Sequence, residues 1–222
     1  MKNLFLRLGL TLCCFFAYLQ PNYAQTMYEN LWKKVTDAES KGLPETARKS
    51  VEEIYQKAKT EKNNAQLVKA VIHRLKYFEF KEEKDLVKAL NQLKDEADKA
   101  EMPTKNVLYS MLAEVYWKYY EENRWQFSGC TKMAENSEDL ETWTLDKIVE
   151  EVRKYYNLSL QNTETLQNTK VDIFDDVIIK GSTSARKIRP TLYDFLAWRA
   201  LNFYQSTEPE VTRPAYYFQM ND

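Results

Sequence analysis

The sequence predicts an all-α protein of stacked antiparallel helical hairpins, either a tetratricopeptide-like solenoid or an irregular helical bundle. Glycine and proline are scarce, with 4 and 6 residues among 222, whereas a β-sheet needs frequent tight turns rich in glycine. Apolar residues recur at intervals of three and four, which is the period of one face of a helix. The links between these stretches are short, so consecutive helices are expected to pack as antiparallel neighbours.

Two breaks separate the first three predicted helices. Lys41 and Gly42 end the first helix, and Pro44 opens the second, where a first turn tolerates proline. Asn63 and Asn64 form a capping pair before the third. The residues expected to face the core are Leu31, Trp32, Val35 and Ala38, then Ala47, Val51, Ile54, Tyr55 and Ala58, then Leu67, Ala70, Val71, Leu75 and Phe78. Four positions match the large and small residues of tetratricopeptide repeats, and they are Trp32, Gly42, Ala47 and Val51.

The middle of the chain predicts two more helices and then an interruption. Pro103 opens the fifth helix. The inward positions are Leu86, Ala89, Leu90, Leu93 and Ala97 in the fourth helix, and Leu108, Met111, Leu112, Val115 and Tyr119 in the fifth. Residues 123–140 are polar and break this rhythm, so they are expected to form an exposed excursion.

Two more helices are expected after this excursion. One begins at Leu145 and runs to about Leu160. Residues 161–189 are rich in Asn and Thr and are expected to be irregular, and their apolar run 171–179 fits either a short helix or an extended piece. Pro190 then opens a last helix, with Leu192, Phe195, Leu196, Ala200 and Phe203 facing inward.

The beginning of the chain predicts export. Residues 1–24 have a basic start, an apolar stretch and a small residue at Ala24, the pattern of a secretory signal peptide cleaved before Gln25. Cys13 and Cys14 leave a lipid-anchored form open, although Leu12 is bulkier than lipoprotein processing prefers. We therefore expect a helical domain over 25–206 in the periplasm or cell envelope, with no membrane span once the signal is removed.

Residues 207–222 predict a linker and the start of a further domain. Pro209 and Pro214 each bar helix from the residue before them. The aromatic run Tyr216, Tyr217 and Phe218 follows, and it is typical of a first strand whose packing partners lie in another domain.

Composition and sequence motifs favour no catalytic, cofactor or metal site. Lys and Arg total 32 against 33 for Asp and Glu, so the charge is too balanced to attract nucleic acid. His73 is the one histidine, and only Cys130 remains after signal removal, so a zinc set is lacking. Paired carboxylates alternate with Lys and Arg, as on solvated helix faces, and no glycine loop for phosphate is present.

Aromatic residues are the unusual feature, with 5 Trp, 15 Tyr and 10 Phe. Tyr116, Tyr119 and Tyr120 keep helical spacing, which favours packing in the core or between domains. Tyr and Trp also suit interfaces, because their rings are apolar and their tips are polar. The interaction candidates are Trp117, Tyr120, Trp125, Tyr216, Tyr217 and Phe218.

Several blocks together carry a resemblance to a known family. They are YENLWKKV at 28–35, LAEVYW at 112–117, NRW at 123–125, LSLQN at 158–162, LQNT at 166–169 and RPTLYDFLA at 189–197. In this order and spacing the chain resembles the N-terminal helical region of bacterial alpha-2-macroglobulin-like envelope proteins. The resemblance covers nearly the whole mature chain.

The resemblance implies that the parent molecule traps proteases. Family members offer a cleavable bait segment, and many carry a thioester in a Cys-x-Glu-Gln setting. Cys130 is followed by Thr131, Lys132 and Met133, so this chain lacks the thioester motif. The chain is then expected to be a non-catalytic scaffold that meets target proteases only through other domains.

Two other functions stay open. A free-standing helical-repeat module would bind a partner protein. A helical glycan-binding envelope protein would use Trp125, Trp143 or Trp198 as stacking platforms.

Overall fold

The computed structural model describes residues 26–77, 83–127, 140–179 and 182–206. Every regular element within these ranges is helical, which confirms the predicted all-α class. The chain divides into two compact units, residues 1–77 and residues 78–222. The expected helical domain over 25–206 thus contains parts of both units.

Unit 1 has three described helices joined by two links of the same kind. They are α1 over 26–40, α2 Pro44–Thr60 and α3 Asn64–Lys76. In the first link the N–H of Leu43 donates to the carbonyl of Ala38 at 2.9 Å, with Gly42 left-handed at φ +66. In the second the N–H of Asn63 donates to Ala58 at 2.9 Å, with Lys62 at φ 53. Both links satisfy terminal helix carbonyls with a left-handed residue, and such short links reverse the chain.

Helices α1 and α3 run parallel. The hydroxyl of Tyr28 donates to Glu61 at 2.7 Å, and the indole N–H of Trp32 donates to Gln66 at 2.6 Å. At the C-terminal ends of the two helices, the carboxylate of Glu39 accepts a hydrogen bond from the ammonium of Lys76 at 2.8 Å. The bonded residues are 33 to 37 positions apart and follow the same order along both helices. This is expected when a helical hairpin is followed by the first helix of a second hairpin.

Unit 2 is built around one long central helix. Its elements are α4 Glu83–Lys99, α5 Thr104–Glu122, α6 Arg124–Phe127, a 3₁₀ turn Leu140–Thr142, α7 Leu145–Ser159, α8 Thr163–Asn168, a 3₁₀ turn Val171–Phe174, α9 Thr183–Ile188 and α10 Leu192–Tyr204. Helix α5 packs against α4, α6, α7 and α10. It is therefore buried on several sides, and the predicted single inward stripe underestimates its burial.

Polar contacts fix the directions of the helices around α5. The Asn106 amide at the start of α5 donates to the carbonyl of Ser159 at the end of α7, at 3.1 Å, so these helices are antiparallel. Arg199 of α10 bonds to Ser110, and Phe203 lies against Trp117 one to two turns further along both helices. Helices α5 and α10 therefore run parallel.

Three details differ from the sequence prediction. The supposed irregular stretch 161–189 contains α8 and α9, since Leu166 of α8 is fully buried and the Ser182 hydroxyl caps α9 by accepting from the N–H of Ala185 at 3.2 Å. Its apolar run begins with a short 3₁₀ helix that buries Phe174, so the short-helix alternative holds for 171–174, and turns follow. Within 123–140, residues 124–127 form α6 and Leu140 is buried, while 128–139 lie outside the described residues.

The other predicted helix starts lie close to the observed ones. Asn63 accepts from the N–H of Gln66 at 3.2 Å, which confirms its capping role. Pro103 stands one residue before α5 rather than inside it. Pro190 precedes Thr191, which forms a reciprocal cap with Asp194 at the start of α10.

Candidate functional site

A groove of about 210 Å³ opens on unit 2 between α5, α7 and α10. We call it the α5–α10 groove. Its lining residues are Glu114, Trp117, Lys118, Glu121, Tyr156, Arg199, Asn202 and Phe203. The four residues from α5 follow intervals of three and four, so they form one stripe along that helix.

The floor of the groove is aromatic. Phe203 meets Trp117 edge to face, with ring centroids 4.9 Å apart, and lies 5.6 Å from the Tyr156 ring. All three side chains are buried. Burial raises the pKa of Tyr156 to about 12, so its phenol stays protonated at neutral pH. The floor is thus aromatic and uncharged.

An ion pair spans the groove from α10 to α5. The Nε of Arg199 donates to the hydroxyl of Ser110 at 2.8 Å, and its other end bonds to the carboxylate of Glu114. Lys118 lies 3.4 Å from the second oxygen of Glu114. Burial alone would raise the pKa of Glu114, but Arg199 and Lys118 outweigh it and hold that pKa below its usual value. Glu114 is therefore ionised and compensated.

Glu121 is the second carboxylate of the groove and is placed differently. It is exposed, one helical turn beyond Trp117. Among the described parts of the chain it joins no ion pair or hydrogen bond, and its electrostatic effect is to raise the pKa of Tyr156. The groove therefore offers one carboxylate that its own cations leave uncompensated.

A second surface lies on the outer side of α10. Trp198, Leu201 and Tyr204 are 38%, 45% and 39% exposed. They are spaced by three residues, and we call them the outer α10 face. The guanidinium of Arg189 lies 3.6 Å from the centre of the Trp198 ring. The opposite side of α10 is buried through Leu192, Leu196, Ala200 and Phe203, so this helix is apolar on two sides.

The structure separates the aromatic candidates chosen from the sequence. Trp117 and Tyr120 are buried and pack together with centroids 5.0 Å apart, and Trp117 reaches the groove floor. Trp125 on α6 is 74% exposed and does not line the groove. Tyr216, Tyr217 and Phe218 lie outside the described residues.

Sequence reasoning missed the polar part of the groove. Glu114 and Arg199 were not chosen, because charged residues on helices are usually solvated. One signal was present, since Arg199 is the only Lys or Arg in the largely apolar α10. A cation in such a helix is seldom buried without a partner.

His73 lies in unit 1 and packs on an aromatic ring. Its centroid is 4.6 Å from that of Trp32, and its Nδ1 is buried without a hydrogen-bond partner in the described structure. Burial lowers the pKa of His73, although the charge of Glu39 opposes this. The imidazole of His73 is therefore neutral at pH 7 and packs from α3 against Trp32 of α1.

The described ranges contain no group of three or more His, Cys, Asp or Glu side chains that could hold a metal ion. Each helix in the same ranges is too short or too polar to cross a bilayer.

No protein-family model, curated protein or solved structure matches the chain.

Proposed function

We propose that the chain is a non-catalytic helical scaffold, the leading part of an alpha-2-macroglobulin-like envelope protein that traps proteases. In this proposal the helices hold other domains of the parent molecule, and those domains carry the inhibitory chemistry. The sequence resemblance supports the family, and the outer α10 face supports the scaffold role.

The outer α10 face supports this role because its large apolar side chains stay partly exposed, even with Arg189 on the Trp198 ring. Trp198, Leu201 and Tyr204 are large side chains on one side of a helix whose other side is already buried. Contiguous exposed apolar patches are typical of surfaces that pack against other proteins.

The position of this face favours a domain of the same parent protein as its partner. Helix α10 is the last described helix, and the predicted linker begins directly after it. A domain joined there has a high effective concentration at the α10 surface, which favours docking without a high intrinsic affinity.

The first experiment measures the mass of the native product. Envelope fractions are blotted with an antibody against the helical segment. A band far above the 26.4 kDa of this chain is expected. A band at or below that mass would overturn the proposal.

The second experiment tests the outer α10 face in the native protein. The pair Trp198→Ser and Leu201→Ser should speed protease cleavage between the helical region and the rest of the molecule. Met102→Ser is the matched control, since Met102 is also an exposed apolar residue of unit 2 but belongs to the link between α4 and α5. Equal cleavage in both variants would contradict a docking role.

A free-standing repeat module is the second candidate. It is favoured by the parallel packing of α1 and α3 through two links of the same kind. A native mass near that of this chain would select it.

A glycan-binding role is the third candidate. Trp125 and Trp198 are exposed rings that could stack on sugars, whereas Trp143 is half-buried and stacked on Tyr116. Oligosaccharides would then change the tryptophan fluorescence.

A further inference from the structure

We propose that the α5–α10 groove binds a small free organic cation, with an alkylguanidinium head held between the carboxylate of Glu121 and the hydroxyl of Tyr156. All the residues that line the groove belong to unit 2. Such a site needs no other domain and no particular parent molecule, so it goes beyond the scaffold role.

The hydroxyl of Tyr156 is a polar group without a partner on an almost fully buried residue. Only 4% of Tyr156 is exposed, yet its hydroxyl forms no hydrogen bond within the part of the chain that the structure describes. The charges of Arg199, Glu114 and Glu121 all act on this phenol, and all three residues line the groove. The hydroxyl therefore lies at the groove. Buried hydroxyls usually have a hydrogen-bond partner, which a ligand would supply here.

Glu121 brings a negative charge to the same groove. Its side chain is exposed and joins no ion pair in the described ranges. The two cations of the lining, Arg199 and Lys118, are both bonded to Glu114. Lys118 stands three residues before Glu121 on α5, but its ammonium lies 3.4 Å from the carboxylate of Glu114. A ligand in the groove therefore meets a carboxylate and a hydroxyl that can both accept hydrogen bonds, and this pair selects a positively charged donor.

The aromatic floor also favours a cation. The faces of aromatic rings carry partial negative charge and attract ammonium and guanidinium groups. An anion would meet these rings and the charge of Glu121, so it is disfavoured. Trp117, Tyr156 and Phe203 are all buried against one another or their neighbours, which leaves no broad ring face on which a sugar could stack.

The arrangement of the acceptors and the size of the groove select the kind of cation. A guanidinium is planar and carries several N–H donors in a fixed fork, so it can bond a carboxylate with one edge and a hydroxyl with another. The groove volume of about 210 Å³ is below the roughly 300 Å³ at which pockets for drug-sized ligands begin. The expected ligand is therefore one guanidinium head on a short alkyl chain.

Nuclear magnetic resonance of the purified chain tests the site with a defined pair of probes. Butylguanidinium is the cationic probe, and butylurea is its uncharged counterpart of nearly the same shape. Because Trp117 forms part of the groove floor, its indole N–H resonance should shift and saturate as butylguanidinium is added. Butylurea should leave this resonance unchanged.

Two variants test the two groups that hold the head. Glu121→Gln should weaken binding by about two- to five-fold, the range of a partly exposed ion pair. Tyr156→Phe should weaken it by about two- to ten-fold, the range of one hydrogen bond. Glu122→Gln is the matched control and should bind like the native chain, because Glu122 is exposed and next to Glu121 but does not line the groove. Circular dichroism checks that each variant stays helical.

Four outcomes would overturn the site. They are a shift that does not saturate, equal binding of butylurea, binding of butyrate in place of the cation, and unchanged affinity in Glu121→Gln or Tyr156→Phe. An acetylated and amidated tripeptide with a central arginine carries the same head on a peptide. Tighter binding of this tripeptide than of butylguanidinium would overturn a free ligand in favour of a basic side chain of a partner protein. The mass of the native product is measured separately, so the cation site and the scaffold function fail independently.

Discussion

Unit 1 and the core of unit 2 bury apolar surface in different ways. In unit 1 each of α2 and α3 has one buried side and one polar side, and the links repeat the same turn. In unit 2 α5 is surrounded by four other helices, and α10 is apolar on two sides. The exposed large apolar residues described in unit 1, Met27, Leu43 and Ile72, lie singly on α1, on the first link and on α3, whereas the irregular arrangement around α5 leaves the groove and the three exposed residues of the outer α10 face.

The largest expected effect tests whether the irregular stretch of unit 2 belongs to its core. Phe174 lies in a 3₁₀ turn and is fully buried. Phe174→Ala should lower the free energy of unfolding by about 3–5 kcal/mol, since it leaves a cavity. Urea denaturation measures the loss.

Ile173→Ala is the control for this prediction. Ile173 is the preceding residue and is 43% exposed, so its loss should cost less than about 0.5 kcal/mol. Similar losses for the two variants would show that the turn is not anchored in the core.

The next effect concerns the ion pair that joins α5 to α10. Arg199→Met keeps the apolar stem but removes the partner of the Ser110 hydroxyl and leaves Glu114 paired only with Lys118. The expected cost is about 1.5–3 kcal/mol, the range for hydrogen bonds to charged groups. Lys118→Met should cost less than about 0.5 kcal/mol, since Lys118 is largely exposed. Urea denaturation of both variants distinguishes a structural ion pair from a surface one.

The same ion pair predicts a pH dependence. The folded pKa of Glu114 lies below its usual value of 4.5. The stability that ionised Glu114 gives the folded chain is therefore present above about pH 4.5 and is lost as the pH falls through the folded pKa of Glu114. In Arg199→Met this acid-linked loss should be smaller, as measured by urea denaturation between pH 6 and 3.

The sequence predicts unit 1 better than unit 2 for a physical reason. A helix with one buried side shows its stripe in the sequence, as Ala47, Val51 and Ile54 do in α2. A helix surrounded by others has no such contrast, so Trp117 could not be assigned to a particular neighbour. The groove depends on the distant pair Glu114 and Arg199, which no local pattern encodes.

A smaller effect compares the two links of unit 1. Gly42 and Lys62 occupy the same left-handed position, which favours glycine. Gly42→Ala should therefore destabilise by about 1 kcal/mol, although its Cβ would meet no other atom within 4 Å. Lys62→Gly should stabilise by about 0.5 kcal/mol. Thermal unfolding measures both, and changes of the same sign would mean that the links are not equivalent.

The smallest effect is the pH response of unit 1 near neutrality. Because burial lowers the folded pKa of His73, the unfolded chain binds its proton more readily below about pH 6.5. The stability that depends on a neutral His73 is therefore fully present above about pH 6.5 and is lost as the pH falls through the folded pKa of His73. Across the helix interface Glu39 opposes the shift, while Lys69 and Lys76 on α3 support it. Thermal unfolding at pH 7.5 and 5.5, above the carboxylate range, should show a lower midpoint at pH 5.5 for the native chain. His73→Gln should remove most of this difference, and an equal difference in both proteins would place the proton uptake elsewhere.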